Sequence, residues 1–130
     1  MKLVLVPIGD PLTWYDGSDT LEIVDSGSGL RVVLAAPRGI DRFAEIHFPF
    51  ARAFQVLDEG DMLKYWEESG SLGCHAVFQV TSGGWLERAS SNYFDITSGL
   101  ENMREWLIAP DVGRCVTVIS AYTPHIREFG

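Results

Sequence analysis

The longest alternating run in the chain lies between Phe43 and Val56, and a proline falls inside it. Ile46, Phe48, Phe50, Phe54 and Val56 occupy even positions; Glu45, His47, Ala51, Ala53 and Gln55 occupy odd ones. Side chains alternate faces along a strand, so the pattern predicts a core-facing even row and an outward odd row. Arg52 interrupts the apolar row. Pro49 has no amide hydrogen for a ladder and belongs at an edge or a bulge. A bulge between Pro49 and Arg52 would turn Arg52 outward. The other arrangement buries Arg52 against a carboxylate, and an unpaired buried charge costs several kcal/mol.

The run leads straight into DEGDMLKYWEE, residues 58–68. Asp58 is a natural N-cap, with Asp61 three positions on in the manner of a capping box. Met62, Leu63 and Trp66 share one helical face, and Gly70 ends the helix. A core strand thus feeds an acidic helix, with the other segments arranged around that joint. The acids have two readings. Capping and the helix dipole favour them at a helix start without any partner. Alternatively Asp58, Glu59, Asp61, Glu67 and Glu68 form a docking surface for a partner protein.

Charge distribution bears on that choice. The chain has 130 residues and a formal net charge of −8. Residues 1–25 and residues 58–68 each hold five acids and one lysine, so each carries −4 and the remainder sums to zero. This disfavours nucleic acid and anionic membrane as partners and suits a basic protein. The length predicts a single domain over residues 1–130. A hydrophobic content of 46% argues against disorder. No apolar run approaches the roughly 20 residues of a membrane helix. MKLVLVPIGD lacks the apolar core and cleavage site of a signal peptide. Leu3 to Val6 therefore reads as a first strand, and the expected location is cytoplasmic. Cys74 and Cys115, both in apolar strand patterns, are then expected as reduced core thiols.

In the segment after the first strand, Trp14 and Tyr15 are the large apolar groups, placed to lid the core or to form a contact surface. Two strand-like runs, LEIVD and LRVVLAA, flank Ser26 to Gly29 and predict a hairpin. A second hairpin is predicted around Ser82, Gly83 and Gly84, with Cys74, Ala76, Phe78 and Val80 on one face and Trp85, Glu87 and Ala89 on the return arm. Tyr93 and Phe94 read as buried aromatics of a loop. Leu100, Met103, Trp106 and Leu107 fit helical spacing, although Trp106 to Ala109 also suits a strand. Val116 to Ile119 make a strong strand, and the tail TPHIREFG an edge or a frayed end. With six or seven strands, one or two short helices and no βαβ alternation, the expected class is mainly β, a β-rich α+β fold. Its antiparallel sheet curls into a partly open barrel or a sandwich.

Catalytic signatures are missing. His47, His75 and His125 are isolated in sequence, and no HxH, HExxH or CxxC occurs. Cys74 and His75 are neighbours on a predicted strand and so point to opposite faces. SGSG and SGG sit between strand runs, where hairpin turns explain them. No GxSxG, phosphate-binding loop or dinucleotide fingerprint is present. The expectation is a protein that is not an enzyme and carries no cofactor or metal.

Three blocks carry a family likeness: RAFQVLDEGDMLKYW (Arg52 to Trp66), SGGWLE (Ser82 to Glu87) and REWLIAPDVGRCVTVIS (Arg104 to Ser120). Together they resemble small, largely uncharacterised bacterial proteins, some of which look like immunity proteins encoded beside secreted toxins. In those proteins a strand ending in D-E leads into a short acidic helix, and a later C-V-x-V segment closes the sheet. The resemblance covers about half of the chain and brings no site residues with it. It implies a non-catalytic binding protein, an immunity-type inhibitor of a basic, toxin-like partner, acting as a monomer or dimer. A different reading is a small-molecule-binding β-barrel or sandwich, with Trp14, Trp66, Trp85 and Trp106 around a pocket.

Overall fold

The computed structural model describes residues 3–58, 62, 73–89 and 102–130. The predicted helix between Asp58 and Gly70 lies outside these residues, apart from Asp58 and Met62. So do Tyr93, Phe94 and Leu100. Among the described residues are nine strands: β1 (Val4–Pro7), β2 (Asp19–Ser26), β3 (Gly29–Ala35), β4 (Phe43–Phe48), β5 (Ala53–Leu57), β6 (Val77–Ser82), β7 (Arg104–Ile108), β8 (Cys115–Ser120) and β9 (His125–Phe129). One short helix, α1, spans Trp85–Ala89. The strands form two sheets, β1-β6-β7-β8-β5 and β2-β3-β4-β9. Every pairing is antiparallel. The architecture is an open sandwich, as expected of a mainly β chain.

The inner faces meet through one core. Leu30, Val32, Leu34, Ala44, Ile46 and Phe48 of the smaller sheet join Val77, Trp106, Ile108, Val116 and Val118 of the larger. Phe48 and Trp106 pack with ring centroids 6.3 Å apart. A second core covers the opposite face of the larger sheet, where Leu3, Phe78, Val80, Leu107, Ala109 and Cys115 pack with the fully buried Met62. Strands buried on both faces lose their alternation, which is why all six residues of β8 are buried. Trp14 and Leu12 are buried in the inter-sheet core, so the segment before β2 does lid it. The Trp14 indole N–H donates to Glu128 Oε1 at 3.0 Å.

The hairpin of β2 and β3 forms as expected, with Ser26 opposite Gly29. Thr20 lies opposite Leu34 and Glu22 opposite Val33, so Leu21 is a bulge residue. It is 60% exposed. The same hairpin needs a glycine at 29. Its φ is +112°, and a Cβ there would run into the carbonyls of Phe48 and Pro49. On the outer face of the smaller sheet, Arg31 pairs with Glu22 and Glu45, and Arg127 lies 3.6 Å from Glu45. The hydrogen bond from Arg31 holds the Glu45 carboxyl below the usual range.

The central run is not one strand. β4 belongs to the four-stranded sheet and β5 to the five-stranded one, with the chain crossing between them at residues 49–52. Ile46 and Phe48 face the core, but Phe50 is 56% and Val56 40% exposed. Phe54, expected as fully buried, is only partly so. Pro49 cannot continue the ladder beside β3, and β5 finds β8 instead, with no bulge in that pairing. No bulge in the β5 ladder therefore turns Arg52 outward, and it is not fully buried. It occupies the crossing, half-buried, with its backbone N–H donating to the Ile119 carbonyl at 2.8 Å.

The return arm after Gly84 is also not a strand. Residues 85–89 form α1. Gly83, at φ +77°, turns the chain. Its N–H donates to Glu87 Oε2 at 2.5 Å, and the Leu86 N–H donates to Glu105 Oε1 at 2.8 Å. Carboxylates thus take up amides at the helix start that have no intrahelical acceptor. Trp85 and Leu86 pack against Ile119.

Replacing Phe48, which is 0% exposed, by alanine empties the inter-sheet core beside Trp106. The expected loss is about 3–5 kcal/mol in a denaturant melt. A loss of under ~1 kcal/mol would show that the two sheets do not close on this side chain.

Candidate functional site

Strand register sorts the charged residues to the two ends of the sandwich. Pro7 lies beside Phe78, Val77 beside Ile108, Ile108 beside Val116, and Cys115 beside Leu57. The chain just beyond each of these points emerges at one end of the larger sheet. Asp10 follows β1, Asp58 follows β5, and Asp111 lies in the turn between β7 and β8. The segment carrying Asp16 and Asp19 is tied to the same end. Gly17 N–H donates to Asp111 Oδ2 at 2.8 Å, Asp111 N–H to Ser18 Oγ at 3.1 Å, and Val112 N–H to the Ser18 carbonyl at 2.9 Å. A side chain at Gly113 would collide with the Asp19 carboxylate. All five aspartates are exposed. Among the described residues the cations at this end are Arg38, Arg42 and Arg114, and Arg42 pairs with Glu128 at 3.2 Å. Beneath them the Tyr15 hydroxyl donates to the Ala109 carbonyl at 3.2 Å. Burial, then the Asp111 charge, pushes its pKa up to about 12, so the phenol stays neutral at ordinary pH.

Of the predicted docking residues, Asp58 is described, exposed at the end of β5. Glu59, Asp61, Glu67 and Glu68 lie outside the described residues. In the sequence, residues 1–25 and 58–68 form separate charge blocks, and Asp111 belongs to neither. The DVG turn before β8 was the available signal, but only the register shows that it meets the other two.

The opposite end holds a cavity of ≈ 370 Å³ between α1 and the ends of β6 and β7. Val80, Ser82, Gly84, Leu86, Glu87 and Glu105 contribute to its wall. Glu105 is only 2% exposed, with its carboxylate against Gly84 and Val80. A Cβ on Gly84 would come within 2.5 Å of Glu105 Oε1 and 2.6 Å of Val80 Cγ1. The sequence signal for this residue was a lone acid beside Leu107 on an apolar row of β7.

The tryptophans do not form the pocket expected of them. Trp14 and Trp106 are core residues, Trp85 packs on Ile119, and Trp66 lies outside the described residues. None of the described three lines the cavity. The gap between the sheets near Ile8, Leu34 and Ile126 is ≈ 10 Å³, too small for an organic ligand.

His47 and His125 are cross-strand partners on β4 and β9, and His47 Nε2 lies 2.8 Å from the Ser28 carbonyl. His75 precedes β6, its ring edge against Phe78. Among the described residues no three His, Cys, Asp or Glu side chains are grouped to hold a metal. Neither cysteine is in a disulfide. Cys115 is buried as expected, whereas Cys74 is exposed, because the strand begins three residues later at Val77. No described helix is long and apolar enough to cross a membrane. Comparison with known proteins gave no match among family models, curated proteins or solved structures.

Two outcomes follow from this geometry. Gly84→Ala should destabilise the protein by about 1–3 kcal/mol, since Val80 and the Glu105 carboxylate must both move. An unchanged denaturation midpoint would contradict the close approach. In a native alkylation time course followed by mass spectrometry, Cys74 should label quickly and Cys115 only on denaturation. Equal native rates would mean that the second core does not protect β8.

Proposed function

We propose that this protein is a non-catalytic binding protein of the immunity type that captures a basic partner protein on the acidic end of its sandwich. The observation that carries the reading is the convergence of Asp10, Asp16, Asp19, Asp58 and Asp111 from three separate segments onto one end. Like charges repel, and although Asp19 and Asp111 accept backbone hydrogen bonds, Asp10 and Asp16 stand exposed at the same end. A cationic partner would gain from all of them at once. Fields of this kind speed encounter by 10- to 10³-fold and make the on-rate sensitive to salt. The acidic segment 58–68 begins at this end, with Asp58. The three sequence blocks that resemble immunity proteins support the same reading.

Asp10 and Asp16 are the cleanest positions to reverse. Both are exposed, whereas Asp19 and Asp111 accept backbone hydrogen bonds that hold their loops. A partner is first recovered from the source lysate by affinity capture and identified by mass spectrometry. Asp10→Lys combined with Asp16→Lys should then slow its association about tenfold or more at low ionic strength. The gap should close as salt is added, because the Debye length falls to about 3 Å at 1 M. A variant that folds normally and associates at the unchanged low-salt rate would refute the acidic end as the docking surface.

A further inference from the structure

β9 is the last strand of the smaller sheet and lies beside β4. The outward residues of the two strands are in register: Phe43 stands opposite Phe129, Glu45 opposite Arg127 and His47 opposite His125. The residues between them turn inward. Ile46 is fully buried, and Ile126 packs against the inter-sheet core. Two of the outward pairs meet across the ladder. The Phe43 and Phe129 rings stack with centroids 5.2 Å apart, and Arg127 reaches Glu45 at 3.6 Å. His47 and His125 continue that row, and directly opposed residues have Cβ atoms about 4.5–5.5 Å apart. Two histidines bring the ladder no opposite charges, and they repel when both are protonated. What they bring together is two nitrogen lone pairs at one spot on the surface.

The tautomer of His47 follows from its hydrogen bond. Its Nε2 lies 2.8 Å from the Ser28 carbonyl. A carbonyl only accepts, so Nε2 carries the proton, and the neutral ring keeps its lone pair on Nδ1. Ligating histidines are commonly held this way, because the bond from the second N–H orients the ring and makes the ligating nitrogen more basic. Ser28 lies in the turn between β2 and β3, on the side of β4 away from β9. Nδ1 is thereby left for a ligand. His125 is exposed at the sheet edge, and no hydrogen bond or ion pair to a described residue holds its ring. The described cations beside the pair are engaged. Arg31, opposite His47 on β3, pairs with Glu22 and Glu45, and Arg127 lies by Glu45 and over the Phe129 ring. We propose that His47 Nδ1 and a ring nitrogen of His125 bind one divalent transition-metal ion, Cu²⁺, Ni²⁺ or Zn²⁺, across the edge of the smaller sheet. Imidazole suits these ions, whereas Ca²⁺ and Mg²⁺ take oxygen ligands. Among the described residues no third ligating side chain joins the pair, so water completes the coordination and the ion exchanges readily. Bonds of about 2.0–2.1 Å to each ring would tie the last strand of the chain to β4.

The test is a titration of the untagged full chain with Zn²⁺, read by amide shifts in ¹H–¹⁵N correlation spectra, with Mg²⁺ as the control. Zn²⁺ should give saturable shifts centred on Ile46, His47, His125 and Ile126, and Mg²⁺ none. In calorimetry Cu²⁺ should bind more tightly than Zn²⁺. Losing only the hydrogen-bond partner of a ligand costs about 10–100-fold in metal affinity. Losing a ligand should therefore weaken Zn²⁺ binding about tenfold or more, in His125→Gln at the exposed edge and in His47→Gln alike. His75→Gln removes the third histidine of the chain and should leave the affinity unchanged. Shifts that map to another part of the molecule, or that do not saturate, would overturn the proposal. So would an equal response to Mg²⁺, or unchanged Zn²⁺ affinity in whichever of the His47 and His125 variants folds. The Asp10 and Asp16 reversals leave both histidines in place, so either proposal can fail without the other.

Discussion

The closure of two sheets over Phe48 and Trp106 is the constraint on which the rest of this molecule depends. Each sheet alone would present an apolar face to water, and burying such a face is the main favourable term in folding. Phe48 ends β4 immediately before the chain crosses, so the residue that fills the inter-sheet core also begins the crossing. Several sequence choices serve that point. Gly29 leaves room for the Phe48 and Pro49 carbonyls, Pro49 ends pairing with β3, and Ser120 donates its hydroxyl to the Phe50 carbonyl at 2.5 Å. Without the crossing, the even-numbered aromatics would all lie on one sheet and the second layer would have to come from elsewhere.

The sequence reading and the structure part company where a local pattern has two long-range solutions. The mainly β class, the first hairpin, the buried row Leu30, Val32 and Leu34, and the closing strand β8 were all legible, because alternation and β-branched residues act locally. The division of the central run was not. Alternation continues across Pro49 to Arg52, and nothing local says that β5 pairs with β8, some sixty positions on, rather than staying beside β3. Trp85, Glu87 and Ala89 alternate as a strand would, yet the carboxylates of Glu87 and Glu105 make a helical turn the better solution there. Cys74 fits the apolar row of β6 but lies before it begins.

The two ends of the sandwich show the same limit for the site. Composition reveals that acids are concentrated in two stretches, but their meeting is a property of register. Asp58 and Asp111 emerge at the same end because Leu57 and Ile108 both pair with the start of β8, at Cys115 and Val116. Glu105 reads in sequence as one acid among apolar residues of β7. Its burial acquires a meaning only when Gly84 and the amide of Leu86 are brought against it. In both cases the residue types are visible beforehand and the chemistry is set by which strands become neighbours.

The order of strands has a consequence for how the chain comes to be folded. β8 and β9 are consecutive in sequence, yet one completes the larger sheet between β7 and β5 and the other extends the smaller sheet beside β4. During synthesis the hairpin of β2 and β3, and then β4, can assemble as soon as they emerge. β5 has no partner in its sheet until residues 115–120 arrive. The chain therefore holds an unpaired apolar strand through much of its translation, and pairings of this range make folding slow and exposed to aggregation. Both layers close with a single late event, the docking of one pair of neighbouring strands.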